Sequence, residues 1–201
     1  YYSDDNSTWT RIKDVSAGAS DVNQSSFWYP VPDNITELGR IKIATNVTNS
    51  SINVSDMSNF TFKIIGKVTM TKPSQDNIFY VGEPNLINWT SAGTVTPVEI
   101  SYWNGTDYVA INSSYVLATS GSNSYSWTPG NSINLENSHI KVTDTRPAFS
   151  DLVTNISANF SLRPRINVTS PVLNDNVHVN TTWPINWTYT GSSIGTVRIQ
   201  Y

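Results

Sequence analysis

Fifteen of the 23 asparagines in this chain stand in the triplet Asn-x-Ser/Thr with x other than Pro: Asn6, Asn23, Asn34, Asn46, Asn49, Asn53, Asn59, Asn88, Asn104, Asn112, Asn155, Asn159, Asn167, Asn180 and Asn186. The chemistry that this triplet permits is transfer of an oligosaccharide to the side-chain amide nitrogen. The chain has 27 Ser and 23 Thr among 201 residues, so a random arrangement would give about six such triplets. The excess points to N-glycosylation of the set. A polar β-protein rich in turn asparagines is the alternative for any single site.

Other chemistry is sparse. Only two histidines exist, His139 and His178, without ligand spacing, and there is no cysteine. That excludes disulfides, thiol catalysis and Cys-based zinc sites. No G-x-S-x-G, H-E-x-x-H or P-loop is present. Glycoside hydrolysis needs two carboxylates across a cleft, but Glu83, Glu99 and Asp107 have no acidic counterparts at matching positions elsewhere in the chain. Asp144 and Asp151 flank Arg146, as an ion pair tying down a loop would. "LNDN" (173–176) and "SDDN" (3–6) lack the alternating acids of a calcium loop. "SDDNSTW" (3–9) is one residue short of an Asp-box hairpin and predicts a tight turn. No catalytic residue, metal site or cofactor is assigned, and enzymatic activity is not expected.

The elements that must position the asparagines follow from a repeat of about 99 residues. "INWT" occurs at 87–90 and 185–188, "VEISY" (98–102) matches "VRIQY" (197–201), and "IKIAT" (41–45) matches "IKVTD" (140–144). "FWYP" and "SWTP" align Trp28 with Trp127 and Pro30 with Pro129. "VTMTKP" (68–73) aligns with "INVTSP" (166–171), and "FTFKI" (60–64) with "FSLRP" (160–164). Residues 1–66 then read as the C-terminal half of a unit, 67–164 as a complete unit and 165–201 as the N-terminal half of a further one. Two arrangements fit: a phase-shifted slice of a long tandem array, or half-domains that complete each other between subunits by strand complementation. Tandem repeats commonly continue, which favours the array.

Within the complete unit, period-two alternation and Gly, Pro, Asn or Ser at the breaks predict strands near 66–71, 77–81, 85–90, 97–103, 107–112, 123–127, 138–143 and 156–162. So many short strands in one unit predict an all-β fold of tandem immunoglobulin-like β-sandwiches. Val98, Ile100 and Tyr102 should share a face, as should Ile87 and Trp89. Alternation places Asn88, Asn167 and Asn186 outward; it also places Asn155 and Asn159 outward, opposite Ile156, Ala158, Phe160 and Leu162. Asn104 falls in a hairpin turn. Trp89 and Trp187, at the position where such sandwiches bury a Trp, are expected in the core rather than stacked on a ligand, and Trp28 and Trp127 likewise. Phe27 and Tyr29 then face outward and are contact candidates. The near-absence of linkers predicts a semi-rigid rod.

Charged residues are only 13% and the net charge is -3, with no basic cluster. This argues against nucleic acid or an anionic membrane as partner. No apolar run approaches the roughly 18 to 20 residues that span a bilayer.

The ordered segments "MTKP", "VGEPNLINWTSAGTVTPVEISY", "YVAI", "GSNSYSWTP", "IKVTD", "SD" and "FSL" resemble the immunoglobulin-like domain of the Ser/Thr-rich, GPI-anchored cell-wall protein family. That family includes yeast proteins of cell-wall glucan assembly, and similar repeats occur in large microbial surface proteins. The resemblance implies a fold and an extracellular, cell-surface setting, and no catalytic residue. The resulting expectation is a structural, glycosylated surface protein of a layer, sheath or filament. Its partners would be covalent glycans and neighbouring copies of the same protein or repeat. The alternative is a carbohydrate-binding adhesin or an accessory module of a secreted polysaccharide-active enzyme.

Overall fold

The computed structural model describes every residue except 17, 21, 46–52, 113–115, 131–134, 193 and 201. The strands are β1 (Tyr2–Ser3), β2 (Thr36–Ala44), β3 (Ser55–Met57), β4 (Phe62–Ile64), β5 (Lys67–Lys72), β6 (Asn77–Tyr80), β7 (Asn85–Ala92), β8 (Val98–Trp103), β9 (Tyr108–Ala110), β10 (Gly121–Trp127), β11 (Leu135–Ser138), β12 (Ile140–Asp144), β13 (Thr154–Ile156), β14 (Phe160–Arg163), β15 (Arg165–Ser170) and β16 (Asn186–Thr190). The fold is all-β, a β-sandwich of the immunoglobulin-like kind.

Strands β5 to β14 form three sheets. One has the order β10-β7-β5 and is antiparallel. A second has the order β13-β12-β8-β9, and a third, β11-β14-β6, is reached from it along the chain through β11–β12 and β13–β14, with β6 parallel to β14. Alternation on β7 and β8 sends Ile87, Trp89, Val98 and Ile100 into the space between the sheets, all essentially without solvent contact. Val68, Phe79, Trp127, Ile140, Val142 and Leu162 close round them. Asp144 lies at the floor of this core, fully buried, and its carboxylate accepts hydrogen bonds from Arg146 Nε at 3.0 Å and from the Arg146 backbone at 2.9 Å. That pair ties down the 144–153 turn, and the bonds to Asp144 hold the Arg146 guanidinium still more firmly protonated than usual.

The strands expected at 138–143 and 156–162 are each broken in two. The break is a bulge centred on Ser157, whose hydroxyl accepts the Ile140 N–H at 2.9 Å while its own N–H donates to the Ile140 carbonyl. Alternation does not carry across the bulge. Asn155 therefore turns inward, its Oδ1 accepting the Met70 N–H at 2.9 Å, and Ile156 faces solvent. This corrects the expectation that Asn155 points outward and that Ile156 shares a buried face with Phe160.

The first 66 residues repeat the second half of this sandwich. β3 and β4 pair along β2 as β13 pairs β12 and β14 pairs β11. Ser58 makes the Ser157 bulge again, with its hydroxyl 3.3 Å from the Ile41 N–H. Trp28 lies 4.9 Å from Tyr2 between ring centroids, and Trp127 lies 5.0 Å from Tyr102. Register places Phe62 opposite Gly39 as Phe160 stands opposite Ser138. Phe62, not Phe60, is thus the counterpart of Phe160. The loop after Ser58 is one residue longer than the loop after Ser157, and Phe60 is left exposed.

The last residues form only the antiparallel pair β15-β16. Among the described residues both faces are largely exposed, and Trp187, expected in a core, is 38% exposed where Trp89 is 1% exposed. The half-units meet the central sandwich directly. On one side the Asp33 carboxylate accepts from Thr94 N (2.7 Å) and Thr94 Oγ1 (2.8 Å), and Lys63 donates to the Ala148 carbonyl at 3.0 Å. On the other, Arg165 Nη1 reaches both Glu83 carboxylate oxygens at 2.9 Å.

Trp89→Ala should cost about 3–5 kcal/mol of unfolding free energy, because its cavity has no route to collapse. Trp187→Ala in the same dilute solution should cost under about 1 kcal/mol. Urea titration followed by circular dichroism measures both.

Candidate glycan-acceptor sites and aromatic contact surfaces

An acceptor asparagine must present its amide nitrogen to solvent. Asn6, Asn23, Asn53, Asn59, Asn159, Asn167, Asn180 and Asn186 are exposed, and Asn34, Asn88, Asn104, Asn112 and Asn155 are half-buried. Asn46 and Asn49 lie outside the described residues.

Local hydrogen bonding sorts them further. Asn6 is at the tip of the first turn with φ of 62°. Beneath it the Asp5 carboxylate accepts from Thr8 N at 2.7 Å, Ser7 N at 2.8 Å and the Ser3 and Ser7 hydroxyls. These bonds, the Thr8 amide first, hold the Asp5 carboxyl well below the usual carboxylate range. The Asp-box-like stretch is a turn, as its sequence predicts. Asn104 builds an Asx-turn, its Oδ1 accepting from Thr106 N, Thr106 Oγ1 and Asp107 N at 2.8–2.9 Å. With the oxygen so occupied, the amide nitrogen is the end that faces away. Asn112 and Asn155 use Oδ1 in the same sense, on Ile100 N and Met70 N. Asn34 is the opposite case: its Nδ2, the atom that would carry sugar, donates to Asp4 and to the Tyr2 hydroxyl.

Asn88 sits on the central strand of the β10-β7-β5 sheet, facing away from the core as alternation requires. It lies in a shallow groove of about 340 Å³ lined by Thr71, Leu86, Thr90, Ser122 and Ser124. Its Oδ1 is buried without a hydrogen-bond partner, so this site is sterically narrower than the strand pattern suggests. Asn186, its counterpart on β16, is exposed.

Phe27 and Tyr29 face solvent as expected, 88% and 92% exposed. A second aromatic group was not singled out from the sequence. Trp103 stacks on His139 (5.6 Å, interplanar angle 9°), Tyr108 meets both edge-on, and the Lys141 ammonium sits 3.9 Å from the Tyr108 ring centroid. Partial burial pushes the Tyr108 phenol up from its ordinary value. The signal available was parity: Val98, Ile100 and Tyr102 face inward, so Trp103 and Tyr102 cannot share a face. His139 could not be placed, because it marks the break between β11 and β12.

No protein-family model and no curated protein matches the chain. Among solved structures it is similar to one titled "Structures of Clostridium thermocellum CbhA fibronectin(III)-like modules", at 17% identity and a TM-score of 0.27. The match covers 62% of this chain and 63% of that one, less than two thirds of its length. At that TM-score the two do not superpose as one arrangement, and the fold described above rests on the strand pairing itself.

In protein isolated from its native source, peptide mapping by mass spectrometry should find hexose-containing mass on Asn6, Asn59, Asn104 and Asn159 and bare Asn34. Modified Asn34 beside bare exposed sites would overturn the sorting. The Asp5 turn has its own pH signature. A depressed carboxyl stabilises the fold fully above the ordinary Asp value and loses that contribution only as pH falls through the lower folded value. The Ser7 and Thr8 amide resonances should therefore hold their positions down to about pH 3.

Proposed function

We propose that this chain is a structural, extracellular glycoprotein of the cell surface, a stiff stack of immunoglobulin-like units in a surface layer, sheath or filament. The units are residues 67–164, whole, and residues 1–66 and 165–201, two halves. The observation that carries this reading is the recurrence of one joint. Gly93, with φ of 83°, lies against Gly66, the last residue of the preceding unit, and Gly191, with φ of 94°, lies against Pro164, the equivalent residue one repeat later. At both places a side chain on the glycine would be crowded: a Cβ on Gly66 would stand 2.3 Å from the Val95 side chain, and one on Gly191 would stand 2.6 Å from the Val81 side chain and 3.0 Å from the Pro164 backbone. Units packed closely at these glycines and braced by Asp33–Thr94 or Arg165–Glu83 cannot swing freely as beads on a flexible linker would. A low-charge outer surface with many exposed acceptor asparagines supports the glycan coat. Among the described residues no helix is long and apolar enough to cross a membrane.

The Trp103, Tyr108 and His139 cluster favours a second reading, a carbohydrate-binding adhesin or accessory module, because stacked rings at a sheet surface suit the apolar face of a sugar. The two readings separate in one pair of measurements. Under the structural reading, small-angle scattering gives a single extended shape, and Trp103→Ala leaves retention on cell-wall polysaccharide unchanged. Under the second, Trp103→Ala loses about tenfold in retention or more.

The brace at the first joint gives a direct check. Asp33→Ala removes two hydrogen bonds to a carboxylate at the surface. It should broaden the scattering-derived distribution of maximum dimensions while shifting the unfolding of the central sandwich by less than about 0.5 kcal/mol. An unchanged distribution would count against the stiff joint.

A further inference from the structure

The turn between β8 and β9 and the turn between β1 and Trp9 are one device made twice. Each carries a sequon: Asn104-Gly105-Thr106 in the central unit and Asn6-Ser7-Thr8 in the first. Register fixes the correspondence, since Tyr102 stands opposite Val109 as Tyr2 stands opposite Thr10. The residue that leaves the turn is aromatic in both, Tyr108 and Trp9. Each ring is half-buried and has a lysine ammonium over it, Lys141 at 3.9 Å from the Tyr108 centroid and Lys42 at 4.6 Å from that of Trp9. The two lysines are counterparts as well, from "IKVTD" and "IKIAT". A hairpin turn needs Asn, Asp or Gly at its tip. It does not need a large ring beside it, partly in water and capped by a cation.

The asparagines are placed to use those rings. Asn104 Oδ1 takes three hydrogen bonds from within its turn, which fixes the side chain and leaves Nδ2 as the free end. In the first turn the Asp5 carboxylate takes the amides of Ser7 and Thr8 instead, and Asn6 stands free at the tip. Asn104 follows Trp103, which pairs directly with Tyr108. A sugar on Asn104 therefore starts one residue along and one strand spacing, about 5 Å, across from the Tyr108 position. From this we infer that the rings are seats for the chain's own turn glycans: the first saccharide on Asn104 folds back on Tyr108 and Trp103, and that on Asn6 folds back on Trp9. A pyranose has one face of C–H bonds and a rim of hydroxyls. The C–H face suits the negative face of an aromatic ring, and the lysine beside the ring donates to the rim. In the central unit the platform is widened by Trp103, stacked on His139; in the first, Ser3 holds the Trp103 position and Trp9 is the seat. The ligand of the cluster is then intramolecular rather than a polysaccharide of the surroundings.

This inference rests on the glycoprotein reading and adds where the sugar goes, and one experiment separates the two. The 201-residue chain is secreted from a eukaryotic host that attaches N-glycans, then trimmed by an endoglycosidase to one N-acetylglucosamine, a pyranose, per site. Mass mapping reports attachment and NMR reports seating. Protons of the Asn104-linked sugar should move upfield in the ring current relative to those on Asn159, whose neighbour Phe160 lies in the core. Trp103→Ala and Tyr108→Ala together should abolish the shift, Tyr108→Phe should keep it, and Trp9→Ala should abolish the equivalent shift on Asn6. Four chains, with and without the two central rings and with sugar or made bare in a bacterial host, should show rings and sugar coupled by about three- to tenfold in the unfolding equilibrium constant. Sugar on Asn104 with unshifted protons, a shift that survives loss of both rings, or no coupling overturns the inference and leaves the glycoprotein reading standing. Bare Asn104 beside occupied sites does the same, and a chain bare at every sequon overturns both. Retention of the trimmed chain on polysaccharide, abolished by Trp103→Ala, would give the rings to an external ligand and overturn the inference too.

Discussion

A β-sheet with one apolar face is stable in water only when something covers that face, and the whole arrangement of this chain follows from where the cover is present. Between β5 and β14 the sheets cover each other, and the residues between them lose essentially all solvent contact. At the two ends the same sequence pattern is repeated with only one sheet in place. The residues there keep core identities, Trp and Ile in strand alternation, while standing in water. A two-stranded hairpin is marginal by itself, and β15-β16 is held to the central unit by Arg165, which reaches Glu83 and the Tyr80 ring, and by the packing of Gly191 on Val81 and Pro164.

Two devices recur because the fold needs them at fixed places. The first is the serine at the bulge. Interrupting a hairpin to let its legs enter different parts of a sheet leaves a backbone N–H without its ladder partner, and a buried unpaired N–H costs about 1–3 kcal/mol. Ser58 and Ser157 supply the missing acceptor from a side chain. The second is the glycine at each joint. Gly93 and Gly191 sit at positive φ, and a Cβ there would stand 3.0 Å from the Asp33 carboxylate and 2.6 Å from the Val81 side chain respectively, so any larger residue would have both a conformational and a steric reason to be excluded.

Much of this was legible in the sequence because alternation and self-similarity are local signals. The buried faces of β7 and β8, the turn at Asn104 and the pairing of Trp28 with Trp127 all follow from period and offset. Three things were not legible, each for a physical reason. Asn155 turns inward because parity is reset at Ser157, and no composition signal marks a bulge built from an ordinary Ser. Phe60 was matched to Phe160 because two Phe-x-Phe or Phe-x-Leu patterns look alike, whereas register depends on a loop one residue longer. Trp187 matches Trp89 in its neighbours but not in its burial, since burial depends on a sheet supplied from elsewhere in sequence. The sequons carry the same lesson at smaller scale. The triplet identifies an acceptor, but whether Nδ2 is available is decided by partners such as Asp4, 30 residues away from Asn34.

The two kinds of contact along such a stack differ in what holds them. A joint rests on a few polar bonds at its rim, Asp33 to Thr94 and Lys63 to Ala148 on one side and Arg165 to Glu83 on the other. The one ion pair among them, Arg165–Glu83, is exposed and of a kind that contributes roughly 0 to 1 kcal/mol. The central sandwich buries Ile87, Ile100, Ile140 and Leu162 between its sheets, and full burial of side chains of this size is worth about 1.5–3 kcal/mol each. The contact between sheets inside a sandwich is then the stronger link and the joint between units the weaker one. Tension on a stack of such units would be met first by the rim bonds and the glycine contacts of the joints, while the covalent chain crossing each joint at Gly66 or Pro164 preserves continuity. Stiffness and strength are thus separated in this design. Glycine packing and rim bonds set the first, and the burial of one sheet by another sets the second.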